Sequence, residues 1–120
     1  MKYFLPFLIF LLFACSSKTN TPDYVIPKEK MVDIIVDIHL TDGMFTINTI
    51  RKEYVRKDSI NYYDNILDNY GYTRKDFDTS VYYYSININE YNEIYIEVLN
   101  RLNELETEVK QQIPKDTIKK

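Results

Sequence analysis

The 120-residue chain carries 15 Lys and Arg against 18 Asp and Glu, a net charge of −3, which makes no electrostatic case for nucleic acid as a partner. Two glycines and four prolines leave little material for the tight turns of a β-sandwich or barrel, so composition favours an all-α fold. With a single cysteine no internal disulfide is available, and packing must hold the structure.

In chain order, residues 1–14 read as a secretory signal peptide. Lys2 supplies the positive start, and an apolar run follows from Leu5 to Phe13, broken only by Pro6. The run is shorter than the ~20 apolar residues a transmembrane helix needs. Leu12-Phe13-Ala14-Cys15 resembles the lipobox of bacterial lipoproteins. That resemblance implies cleavage before Cys15, lipidation of its sulfur and acylation of its new amino group. At about 0.8 kcal/mol per buried methylene, three acyl chains would anchor the protein essentially permanently. Loss of Lys2 with the leader takes the charge from −3 to −4. About a hundred residues then remain, enough for one small domain. Residues 15–25 are polar and threonine-rich, with Pro22, and read as a flexible tether. Ser16 after the cysteine resembles the pattern of lipoproteins sent to the outer membrane. Ser16 to Thr21 lacks the acidic cluster that resembles a surface-export signal, so a periplasm-facing domain is expected.

The spacing predicts a bundle of about four helices over residues 26–112, followed by a mobile tail over 113–120. Pro27 suits a first helical turn. From Lys28, Met31, Ile34, Ile35, Ile38 and Phe45 share one face, with Val32, Val36 and His39 on its flank and Asp33, Asp37 and Thr41 opposite. So wide an apolar arc predicts more than one neighbour, with the helix end near Asn48 or Thr49. A second helix is predicted from about Arg51 to Tyr70, with Tyr54, Val55, Tyr62, Tyr63, Ile66, Leu67 and Tyr70 as its apolar positions, closed by a left-handed Gly71. Thr73 and Asp76 form a capping-box pattern that opens a third helix with Phe77, Val81 and Tyr84 inward. Tyr83 falls on its flank and Tyr82 faces away. Asn87 to Asn89 make a break with Asn89 as the N-cap. The last helix carries Tyr91, Ile94, Tyr95, Val98, Leu102, Leu105 and Val109 on one stripe and glutamates opposite, with Ile96 alone out of pattern. Pro114 ends it.

His39 is the only histidine and the natural candidate for acid, base or ligand chemistry. Asp42, three residues on, can hold one imidazole nitrogen or bond a neighbouring helix or tyrosine. Asp37 points elsewhere on the helical wheel, so His39, Asp37 and Asp42 do not make a four-ligand zinc site, and no metal or cofactor is expected. Asp33 and Asp37 read as a solvated helix face. Ser59, Ser80 and Ser85 lack a nucleophile elbow or a phosphate-cradling loop, so no enzyme is expected. Twelve tyrosines without tryptophan suit core and boundary packing, with Tyr82 and Tyr83 as candidate contact residues and Ile96 as a second exposed apolar point.

Ile26-Pro27, Lys30-Met31, Asp37-Ile38-His39-Leu40, Tyr70-Gly71, Phe77, Ser80 and Tyr83-Tyr84 together resemble an uncharacterised family of small Bacteroidota lipoproteins defined by a domain of unknown function. The resemblance covers roughly Pro27 to Leu105 and implies an envelope lipoprotein with a compact helical domain. It supplies no activity or substrate, and singles out Asp37, His39 and the segment from Ser80 to Tyr84. The expectation is a non-enzymatic, membrane-anchored module that binds an envelope protein or component. The alternative is a small hydrolase or ligand-binding protein centred on His39, which requires a concave pocket reaching that residue.

Overall fold

The computed structural model describes residues 20–56 and 61–113, the side chains of 54–56 excepted. The expected leader, Cys15, most of the tether and the tail beyond Ile113 lie outside the described residues. The fold is all-α, with five helices among the described residues: α1 (Lys28–Phe45), α2 (Asn48–Arg56), α3 (Tyr62–Asn69), α4 (Arg74–Ile86) and α5 (Ile88–Gln112). α1 packs on α5, α3 and α2, and α4 packs on α5 and α3. The wide apolar arc of α1 therefore meets three neighbours, in keeping with its sequence.

The centre of that arc is rotated from the expected face. Val32 and Val36 are buried with Met31 and Ile34, whereas Ile35 and Ile38 are only half-buried. The supposedly solvated side of α1 is also used. Arg101 of α5 donates to Asp33, and the Tyr70 hydroxyl donates to Asp37 at 2.6 Å. With neighbours on several sides, α1 keeps only part of its surface in water, at Glu29, Lys30, His39, Leu40, Gly43 and Met44. The helix starts at Lys28 as expected, but the core takes in one residue before the expected start of the domain. The Val25 amide donates to Pro22 O at 2.9 Å, and Val25 and Ile26 join the core. Ile26 opens the domain as expected, and Val25 belongs to it as well and not to the tether, because its apolar side chain is buried and that burial favours order.

α1 ends at Phe45, with Thr46 as C-cap, short of Asn48. The predicted single helix from Arg51 to Tyr70 is two helices, since Asn61 has φ −130 and ψ 57 and starts α3 afresh. Asparagine competes locally for backbone hydrogen bonds and is weak in helix interiors. The interruption allows α3 to bring Tyr62 and Tyr63 onto α1. At the other end of α3, Gly71 has φ +78. Its amide donates to Asp68 O, and Tyr72 N donates to Leu67 O, both at 3.0 Å. This is a Schellman closure that satisfies the last carbonyls of α3.

The capping box of α4 is present. Asp76 N donates to Thr73 Oγ1 at 3.2 Å, and Thr73 N donates to Asp76 Oδ2 at 2.8 Å. These bonds to the Thr73 backbone and hydroxyl hold the exposed Asp76 carboxyl below its ordinary range. Asn87, not Asn89, separates α4 from α5. Its side-chain amide donates to Tyr83 O at 2.7 Å, so it serves the end of α4, and no side chain caps α5.

Two side chains one turn apart on α4 hold the entry of the chain. Ile26 N donates to Ser80 Oγ at 2.8 Å, and the Tyr84 hydroxyl donates to Ile26 O at 2.8 Å. Ser80 in turn donates to Asp76 O at 2.7 Å. Ile26, Ser80 and Tyr84 are all fully buried, where an unpaired backbone amide or carbonyl would be costly.

Candidate functional site

α1, α3, α4 and α5 do not close completely over one another. Between them lies a cavity of about 450 Å³ that opens to solvent, a size within the range of small-ligand sites. Ile35 and Ile38 of α1, Leu67 of α3, Phe77 of α4 and Ile94 of α5 supply apolar wall. His39, Arg74 and tyrosines 63, 84, 91 and 95 are the lining residues whose side chains carry a polar group. Among the described residues no carboxylate lines it.

Two inward-stripe positions show the consequence. Val81 is 42 % exposed and Tyr95 38 % exposed, although the periodicity places both in the core. Both line the cavity, and Tyr95 keeps a ring contact with Tyr91 at 4.7 Å. The stripe holds; the burial expected from it does not.

Arg74 is the lining residue with a permanent positive charge. It begins α4 and stands at the head of the stripe that continues through Phe77, Val81 and Tyr84. Its guanidinium carbon lies 6.0 Å from the centre of the Tyr63 ring, within range of a cation–π contact. Asp78 approaches Nε at 3.4 Å, and Asp64 approaches Nη1 at 3.9 Å. The facing Asp64 oxygen is buried and has no hydrogen bond, so its charge contacts Arg74 without a close donor. Sequence reasoning missed Arg74, although its spacing from Phe77 and Val81 placed it on the inward stripe.

His39 is exposed on α1 and reaches the cavity. Its two candidate acidic partners are occupied elsewhere. The Asp42 carboxylate accepts from Tyr62 at 3.0 Å and from Tyr63 at 2.9 Å, and among the described residues no hydrogen bond joins it to His39. Tyr62 is packed between Phe45, at 4.6 Å between ring centres, and Tyr63, at 4.2 Å. Its hydroxyl is raised by the bond to Tyr63, then by burial and by Asp42. Asp37 is engaged by Tyr70, whose hydroxyl is pushed up to about 12 by burial and then by that carboxylate. The three candidates on α1 thus do not form one centre. Asp42 bonding a neighbouring tyrosine is one of the roles its sequence position allowed. Among the described residues no three His, Cys, Asp or Glu side chains cluster as metal ligands.

Of the two contact candidates, Tyr82 is 70 % exposed. Tyr83 is half-buried, packs against the core and meets Tyr84 edge-on at 5.2 Å. The expected pair is therefore one surface residue and one boundary residue, because the flank of α4 turns toward α5. Ile86 and Ile88 are exposed near Tyr82 in sequence, at the α4–α5 corner, and Ile96 is exposed on α5.

A family model for a domain of unknown function, DUF4296, matches residues 22–108. The chain belongs to the DUF4296 family. The matched span begins at Pro22, whose carbonyl accepts from Val25, and takes in every residue of the cavity. No curated protein and no solved structure matches the chain. Within this DUF4296 domain, several residues that carried the sequence resemblance bond one another: Ile26 with Ser80 and Tyr84, and Asp37 with Tyr70. Their hydrogen bonds account for these positions as fold-holding contacts. Among the described residues no helix is long and apolar enough to cross a membrane.

Proposed function

We propose that this DUF4296 protein is an envelope lipoprotein, anchored through lipidated Cys15 at the outer membrane and facing the periplasm, whose helical domain binds a ligand without transforming it. The cavity among α1, α3, α4 and α5 is the observation that carries the binding role. It is concave and largely apolar, and it reaches His39. The ligand-binding form of the His39-centred alternative is thereby favoured over the hydrolytic one, since both nearby carboxylates on α1 are held by tyrosine hydroxyls and general acid–base work needs a positioned partner. The anchor is supported by the order of Lys2, the apolar run, Ala14 and Cys15.

Native mass spectrometry of the protein released gently from membranes tests the binding role. Wild type is expected to carry a bound small molecule that Val81→Trp, which fills the cavity mouth, excludes. A mass equal to the bare acylated chain in both would overturn it. For the anchor, Cys15→Ala is expected to leave the membrane fraction.

A second reading rests on Tyr82, Ile86 and Ile88, each more than 60 % exposed at the α4–α5 corner. Aromatic and aliphatic side chains held out on a rigid corner suit contact with an envelope protein. Tyr82→Ser is expected to leave the melting temperature almost unchanged and to reduce crosslinking to that partner in membranes.

A further inference from the structure

We infer that the cavity takes a single long-chain acyl carboxylate, its chain along the apolar wall and its head at Arg74 and His39. This rests on the reading of the cavity as the ligand seat. Three observations specify the class. Along the stretch of wall made by Ile35, Ile38, Phe77 and Ile94 a polar ligand body finds no partner, so hydrogen-bonding groups of a ligand that faced it would be left unpaired. The charge is one-sided, with Arg74 lining the space and no described carboxylate doing so. Asp64 and Asp78 approach the guanidinium from outside the lining, at 3.9 and 3.4 Å. The Asp78 pair is more than half exposed and weak, the buried Asp64 oxygen stands beyond hydrogen-bond distance at 3.9 Å, and a guanidinium has five N–H donors in a fork that fits a carboxylate. Finally, about 450 Å³ suits one small amphiphile and is too little for a folded partner.

The fit makes two demands on any occupant. Affinity rises with chain length by about fourfold for each methylene that leaves water, until the cavity is full. Affinity also depends on a negative head. A carboxylate then exceeds an amine of the same length by about fivefold or more, since charge-assisted hydrogen bonds are the stronger ones, discounted here for solvent at the mouth.

The test uses the full chain in membrane vesicles and three photoreactive diazirine probes of equal chain length, ending in a carboxylate, an amine or a methyl group. Crosslinked peptides are mapped by mass spectrometry. The carboxylate probe is expected to label the segments around Phe77 and Tyr91 at least about fivefold more than the amine probe. Arg74→Gln with His39→Gln is expected to bring the two to equality without changing labelling by the methyl-ended probe, and Arg74→Lys to restore much of the preference. Equal labelling by carboxylate and amine in wild type, or a preference that survives the double substitution, would overturn the head-group assignment while leaving the cavity as a seat for apolar ligands. Absence of cavity labelling by all three probes would overturn the seat itself. Circular dichroism melts of each variant separate loss of binding from loss of fold.

Discussion

Both polar groups of the Ile26 backbone lie in the core, and one face of α4 satisfies them. Their energies are unequal in a way that can be measured. Ser80→Ala leaves the Ile26 amide buried with no acceptor, a cost of about 1–3 kcal/mol. Tyr84→Phe removes only the hydroxyl and leaves a carbonyl unpaired, which is the more tolerated of the two omissions, so a loss near 1 kcal/mol is expected. Urea midpoints that rank the two variants in the opposite order would show that Ser80 is not the principal tie. Tyr70 makes a second prediction at this scale. Its folded value is raised to about 12 from the ordinary value near 10, so the folded state holds the phenolic proton more tightly than the unfolded chain does. The resulting stability is complete below pH 10 and is lost as pH rises toward about 12. Tyr84, also raised to about 12, chiefly by burial, contributes in the same window and with the same sign. Tyr70→Phe is expected to make the alkaline fall in stability shallower between those limits, read from urea midpoints collected across the window. A slope identical to wild type would exclude Tyr70 as a contributor.

At the scale of elements, the two glycines have opposite roles. Gly71 closes α3 at φ +78, and a Cβ there would meet nothing within 4 Å, so any penalty is purely one of backbone conformation. Gly71→Ala is expected to cost about 1–2 kcal/mol. Gly43 lies inside α1, where an added methyl group would also enter open space, and Gly43→Ala is expected to stabilise by about 0.5–1 kcal/mol. Thermal melts of the two variants should move in opposite directions, and a shared direction would mean that one of these backbone conformations is not as described. Helix α4 was legible in advance because Thr73 and Asp76 state its start in chemical terms that tertiary packing does not override. Gly71 was legible for the same reason. The break at Asn61 was not, since no proline or glycine stands beside this asparagine to announce it, and the apolar positions before and after it continue one plausible helical register. The shared use of Asn87 was hidden too, because its side chain could serve either helix and only the position of Tyr83 O decides the matter.

For the whole molecule, periodicity identified which faces turn inward but not whether they meet. Val81 and Tyr95 obey the same spacing as Tyr84 and Val98, yet the first pair lines an opening and the second is buried. A cavity where four helices converge depends on interhelical angles that no single stripe encodes, which is why the apolar seat was not legible although most of its lining residues were named as inward. The same distinction divides α5. Its first half carries Ile94, Val98 and Leu102 into the core, and Lys28–Glu93 at 2.5 Å and Asp33–Arg101 tie it to α1. Every residue from 103 to 113 is exposed, with Leu105 at 37 % and Val109 at 55 %. Ending the chain after Asn103 therefore removes little buried surface. The loss should not exceed about 2 kcal/mol, mostly from Leu105. Ending it after Glu97 removes Val98, Arg101 and Leu102 together, and should abolish the cooperative melt. Far-UV circular dichroism of the two truncations discriminates sharply. If the longer one also unfolds, the distal turns of α5 pack against something in the folded molecule, and the helix is not divided between a core half and a free half.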